Sequence, residues 1–181
     1  MKLYVVRHGE TNENIHKIMQ GNMETDLNKV GEEQAISLRN KVKEANINFI
    51  ISSPKRRAIE TAKLAAPDIS IMTDNRLLSR DHGEFQGMAR TEINLEEYWN
   101  IKKNIQYERA ETVGEIFNRV SSFLNDVSVN YSDKHVMIVT HSGICRVLYY
   151  YFNGFPHNGD LTEYESTNCS FEEYDLDKIG G

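Results

Sequence analysis

Long apolar runs are missing from this sequence. The longest covers residues 147–152 and contains three tyrosines, far short of the ~20 residues that cross a bilayer, so no membrane partner is expected. Basic residues are in deficit, with 21 Lys and Arg against 27 Asp and Glu and a formal charge of −6. That balance argues against nucleic acid, which favours a basic face, and leaves room only for a local cationic pocket. Cysteine is nearly absent. Cys145 and Cys169 lie in apolar or strand-like surroundings and form no CxxC pair, so neither a disulfide framework nor a zinc site is implied, and both read as core thiols in a reducing compartment. Carboxylates clustered at the spacing that Mg²⁺ or Zn²⁺ requires are also lacking, and no metal or other cofactor is expected. Met1 and Lys2 run directly into a strand pattern without the apolar segment of a signal peptide, which makes a cytoplasmic location the expectation.

What is present reads as one domain over residues 1–181, long enough to bury a sizeable core. Three short apolar runs, residues 3–6, 49–51 and 136–139, predict buried strands. Between and after them lie helix-period segments at residues 31–44, 55–66 and 113–129, and a further helix from Gly143 through Tyr151. Residues 169–176 alternate as an edge strand does. Strand–helix alternation with fully apolar strands predicts a three-layer α/β/α fold with a mostly parallel sheet. A long insertion at about residues 74–110 reads as a lid or site loop. Its later part, residues 92–107, predicts a charged helix around Trp99.

Each predicted strand stops at polar residues: Arg7-His8-Gly9, Ser52-Ser53-Pro54-Lys55-Arg56-Arg57, and Thr140-His141-Ser142-Gly143. Open α/β sheets bind ligands beyond the carboxyl ends of their strands, so parallel neighbours would bring two histidines and at least two arginines to one rim. Arginine presents a planar fork of donors suited to phosphate oxygens. Helix N-termini after Ser53 and His141 add amide donors, and a neutral imidazole nitrogen is a competent nucleophile. Ser53-Pro54 alternatively reads as a helix cap followed by proline at the first position, and Gly9 as the residue that lets the backbone turn close to a ligand. Arg56, His16, His135 and His157 read as surface residues.

Taken together, RHGET, SSPKRRAIETA and VTHSG, in this order and at strand ends, resemble the histidine phosphatase superfamily, the phosphoglycerate-mutase-like or RHG group. Asn14, Gln20-Gly21, LNKVGEEQA, GEFQG, Ala110-Glu111-Thr112 and Asn168-Cys169-Ser170 extend the resemblance over nearly the whole chain. It implies that His8 is a nucleophile forming a phosphohistidine, that Arg7, Arg57 and His141 hold the phosphoryl group, and that Asn14, Gln20, Gly21, Ser142 and Gly143 lie close to it. It also implies a metal-independent phosphomonoesterase acting on a small phosphorylated metabolite and releasing inorganic phosphate, as a monomer or homodimer. Mutase action is disfavoured by the short chain.

One position departs from the family. Where the resemblance places a glutamate that protonates the leaving oxygen, RLLSRDHGEFQG carries Ser79, whose hydroxyl is too weak an acid for that task. Asp81 is the first candidate replacement, because residues i and i+2 of an extended segment point the same way, and Glu84 the second. A third possibility is that the acid is missing, leaving a slow phosphatase or a phosphate-binding relative. A phosphoprotein phosphatase is a further alternative.

Overall fold

Five strands form one sheet, β1 (Lys2–Arg7), β2 (Phe49–Ser52), β3 (Ile71–Thr73), β4 (His135–Thr140) and β5 (Phe171–Asp175), in the order β3-β2-β4-β1-β5. The computed structural model describes residues 1–178, so the last three positions of the expected domain lie outside the described residues. Strands β1, β2, β3 and β4 are mutually parallel, and β5 runs antiparallel to β1 at one edge. The expected α/β fold and late edge strand are both present. β3 was not legible in advance, because three residues with two exposed side chains carry too little apolar pattern.

Seven helices are described: α1 (Asn12–Ile15), α2 (Lys29–Ser37), α3 (Arg39–Glu44), α4 (Arg56–Ala65), α5 (Leu95–Tyr98), α6 (Val113–Asn130) and α7 (Ser142–Asn153). The single helix expected over 31–44 is two, because the chain tightens at Leu38, whose amide bonds to the Ala35 carbonyl three residues back. The two-residue period of the central strands sorts the core into two layers. Leu3, Val5, Val136 and Ile138 face α6 and α7, while Tyr4, Val6, Met137 and Val139 face α2, α3 and α4. On α6, Ile116, Val120, Phe123, Leu124 and Val127 form the buried stripe, and a capping box between Thr112 and Glu115 fixes its start. Removing the Phe123 ring would cost about 3–5 kcal/mol.

Where a charged helix was expected over residues 92–107, only the four-residue α5 forms, and the rest of the 74–110 segment is short 3₁₀ turns and irregular chain. Apolar contact explains the difference: Tyr98 and Trp99 are buried in the larger core cluster, and Phe85, Tyr98 and Tyr107 pack ring against ring. The segment forms one wall of the cavity described next. Among the described residues, no helix is long and apolar enough to cross a membrane.

Candidate active site

Parallel pairing carries the polar strand ends to one place. Arg7 sits opposite Thr140, and Ser52 opposite Val139. The ladder then runs one residue further on both sides, with the His8 amide donating to the Thr140 carbonyl at 2.9 Å and the Ser53 amide to the Val139 carbonyl at 2.9 Å. A cavity of about 100 Å³ opens there, well below the ~300–1,000 Å³ of drug-sized sites. Arg7, His8, Arg57 and His141 line it together, as do Asn14, Gln20, Gly21, Ser142 and Gly143.

The His8 ring is buried, and its Nδ1 lies 2.8 Å from the Gly9 carbonyl oxygen. A carbonyl only accepts, so the proton sits on Nδ1 and the lone pair on Nε2. Burial first, then the Arg57 and Arg7 guanidiniums, hold this imidazole well below its ordinary value and keep it neutral. The backbone around it is tied down on two sides. Asn168 Nδ2 donates to the His8 carbonyl at 2.9 Å. Thr61 Oγ1 accepts from the Gly9 amide at 2.9 Å and donates to the Arg57 carbonyl at 2.6 Å, so one hydroxyl locks the turn after β1 to the helix that bears Arg57. Gly9 itself is required for a different reason from the one expected. A Cβ there would stand 2.5 Å from the Gly31 carbonyl oxygen, so the glycine admits α2 and not a ligand.

His141 uses both ring nitrogens within the protein. Arg57 Nη2, which can only donate, points at Nδ1 from 3.1 Å, and Nε2–H therefore donates to Ser53 Oγ at 2.7 Å. Burial first and Arg57 second hold His141 well below its ordinary value. Ser53 is consequently not the helix cap it resembled; α4 starts after Lys55 with no side-chain cap. Arg57 also donates to the carbonyls of Met23 at 2.7 Å and Gly21 at 2.8 Å, and burial lowers it to about 10. No carboxylate pairs with Arg57 or Arg7 among the described residues, and the Nε of each is a buried donor with no acceptor there. Arg56, one position earlier, is exposed and pairs with Glu24 and Asp26. Asn14 Oδ1 already accepts from the Thr11 amide at 3.1 Å and from Asn168 Nδ2 at 3.2 Å, so its own amide group is the part left for a ligand. The first helical amides of α7, at Ser142 and Gly143, belong to the unsatisfied donors of any helix start.

The candidate acids do not join this group. Ser79 lines the cavity, but Asp81 lines the neighbouring one and not that of His8. The reasoning that Ser79 and Asp81 share a face holds for the neighbouring cavity, which both line. Asp81 is exposed, and its carboxylate is turned to the Gly83 amide at 2.9 Å. Glu84 is exposed as well and accepts from the Glu108 amide. Among the described residues the one carboxylate on the cavity wall is Glu165, which bonds to Arg90 and is held below the usual carboxylate range chiefly by that bond.

Several lining residues had no sequence signal strong enough to select them. His82 follows Asp81, bonds through Nδ1 to the Tyr98 hydroxyl at 2.7 Å, and is lowered to about 3 by burial first and Arg80 second. Trp99 lies over the start of α7, where a Cβ on Gly143 would come within 3.0 Å of its ring. Arg90, Arg146 and Glu165 complete that side. An arginine inside the apolar run of α7 was the available signal for Arg146.

Fold and cavity together define a class, an α/β protein with a cationic pocket at the carboxyl edge of its sheet. The chain belongs to the histidine phosphatase superfamily (branch 1), whose family model matches residues 3–180. It is 28% identical over 185 residues to phosphoserine phosphatase 1 of Hydrogenobacter thermophilus, covering 97% of this chain and 85% of the relative. It is 30% identical to phosphoglycerate mutase-like protein 4 of Arabidopsis thaliana over 82% of this chain and 69% of that one. Among solved structures, Bacillus stearothermophilus YhfR superposes with a TM-score of 0.87 at 24% identity, covering 98% of this chain and 92% of that one. A mycobacterial glucosyl-3-phosphoglycerate phosphatase superposes at 0.83 with 22% identity, over 95% and 91%. These two likenesses establish the fold.

Proposed function

We propose that the protein is a phosphomonoesterase that hydrolyses a small phosphorylated metabolite through a phosphohistidine on His8, without a metal. The observation that carries this reading is the hydrogen bond from His8 Nδ1–H to the Gly9 carbonyl, which leaves a neutral Nε2 lone pair in a cavity shared with two arginines that have no carboxylate partner among the described residues. In the first step Nε2 forms a bond to phosphorus while the ester oxygen departs with its electron pair and takes a proton from solvent water. Arg7, Arg57 and the α7 amides face the three remaining oxygens as their charge redistributes. Water then attacks the phosphohistidine, releasing inorganic phosphate and restoring the imidazole. His141 is a positioning residue here, since its nitrogens orient Arg57 and bond Ser53. The named phosphatases among the relatives support hydrolysis of a small phosphate ester.

The absence of a carboxylic acid on the cavity wall, apart from the ionised Glu165, shapes the rate. With no strong acid at the leaving oxygen, the reaction favours esters whose alcohol leaves readily. Turnover of p-nitrophenyl phosphate and a panel of metabolite phosphates, with His8→Ala as control, tests the proposal; activity that survives His8→Ala would falsify it. The same missing acid favours one alternative, a phosphate-ligand binding protein with little turnover. Vanadate or phosphate binding without hydrolysis of any ester in the panel would select it.

A further inference from the structure

His82 lines the cavity with one ring nitrogen still free. Its Nδ1 lies 2.7 Å from the Tyr98 hydroxyl, while Nε2 has no hydrogen-bond partner among the described residues. The residue is 7% exposed and shares the cavity wall with Ser79 and Gly21. A Cβ on Gly21 would stand 3.0 Å from His82 Cδ2, the ring carbon next to Nε2. The Gly21 carbonyl in turn accepts from Arg57 Nη2 at 2.8 Å, so the ring edge that carries Nε2 borders the residues that hold Arg57. The backbone is fixed at this point. A bridge ties His82 to Ala110, and a Cβ on Gly83 would stand 2.3 Å from the Glu108 carbonyl oxygen.

Which nitrogen carries the proton follows from Tyr98. That side chain is buried, and His82 Nδ1 is the one partner of its hydroxyl among the described residues. Burial pushes the phenol up, so it keeps its proton, and a buried hydroxyl proton without an acceptor is costly. Nδ1 therefore accepts, and the imidazole N–H is on Nε2. Arg80, fully buried, holds its guanidinium 3.6 Å from the centre of the Tyr98 ring and donates to the Tyr98 carbonyl at 2.7 Å, which fixes the phenol in place. Burial first and Arg80 second keep the His82 ring neutral. His8 thus shows the cavity a lone pair, and His82 shows it a donor.

We propose that His82 is a catalytic residue whose Nε2–H donates a hydrogen bond to the ester oxygen as that oxygen leaves phosphorus. The inference rests on the phosphatase reading. In that step the oxygen departs with the P–O electron pair, the Nε2–H bond stabilises its growing negative charge, and the proton it takes comes from solvent water. His82 keeps its own proton throughout, a neutral imidazole acting as electrophile and not as acid. A fixed donor aimed where charge develops is worth most when the leaving alcohol is most basic.

The leaving-group dependence of kcat/KM tests the proposal. It would be measured for p-nitrophenyl phosphate, phenyl phosphate and glycerol 3-phosphate with wild-type protein and His82→Phe, which keeps a ring and removes the donor. Glycerol 3-phosphate is expected to lose roughly 10–100-fold and p-nitrophenyl phosphate less than about threefold, with phenyl phosphate between them. A merely structural His82 would give equal losses for all three esters, and that result, or no loss in any, would overturn the assignment. Should His82→Phe not fold, nitrogen NMR of the wild-type protein carries the test. The His82 ring proton is expected on Nε2, and the Nε2 signal should move when vanadate is added. A proton on Nδ1, or an Nε2 signal that vanadate leaves unmoved, would overturn the proposal. Failure of wild-type protein to hydrolyse any of the three esters would instead strike the phosphatase reading, and the vanadate shift would still decide whether Nε2–H meets a ligand in the cavity.

Discussion

The two walls of the cavity are built differently. One consists of strand ends: Arg7, His8 and His141, with Arg57 on the helix that follows β2. Its side chains are buried and cross-linked, with Thr61, Ser53 and Asn168 bonding the backbone or ring of each neighbour. The other wall comes from the segment at 74–110, where Ser79, His82 and Trp99 are set by aromatic packing and by the cap and turn contacts of a mostly irregular chain. In the proposed reaction the first wall would grip and attack phosphorus, and the second would meet the leaving group.

Perturbing the two walls should give unequal effects. His8→Ala removes the nucleophile, and the hydrolysis rate of p-nitrophenyl phosphate should fall by about 10⁴-fold or more, with phosphate binding retained. Arg57→Lys loses the fork that reaches the Met23 and Gly21 carbonyls and His141, and a drop of roughly 10²–10³-fold in kcat is expected. Arg56→Lys, one residue away on the exposed face, should stay within twofold. On the other wall, Ser79→Glu supplies a carboxyl group to the leaving oxygen. Alkyl phosphates should then turn over about 10²-fold faster, whereas p-nitrophenyl phosphate, whose alcohol leaves without a proton, should change little. Asp81→Asn should move neither substrate by more than about twofold, because Asp81 faces the adjacent cavity. A large loss in Asp81→Asn would place the acid there after all and erase the contrast between the walls.

A smaller effect concerns stability. His8, His82 and His141 are all held below their ordinary value, mainly by burial. As pH falls through about 6.5, the unfolded chain takes up protons that the folded chain refuses. Folding stability is therefore full above that pH and declines below it, by at most roughly 1.4 kcal/mol per pH unit for each imidazole. Urea unfolding at pH 7.5 and pH 5.5, above the carboxylate range, should show a lower midpoint at the acid value. Equal midpoints would mean that these imidazoles are not kept neutral in the folded protein.

What could be read from the sequence follows the same division. Apolar strands in a parallel sheet have one place to end, so residues just past 6, 52 and 139 meet at one rim whatever the loops do. That His8, Arg7, Arg57 and His141 would come together in one cavity was legible for that reason. Alternation along the chain put Ser79 and Asp81 on one face, as both line the neighbouring cavity, but could not say which cavity that face meets; Glu84 lies beyond the turn at Gly83, with φ of +52°. Arg146 and His82 needed the folded neighbours to be distinguished from an ordinary helix cation and an ordinary loop histidine. Ser53 carried a helix-cap signature that the structure puts to another use.

The central claim is that His8 attacks through Nε2 because the Gly9 carbonyl holds the other nitrogen's proton. Rapid quenching of the protein with p-nitrophenyl phosphate, followed by peptide mass mapping and phosphorus NMR under alkaline conditions, tests it most directly. The account predicts a phosphoryl group on His8, bonded to Nε2. Phosphate bonded to Nδ1, or carried by His141, would contradict it.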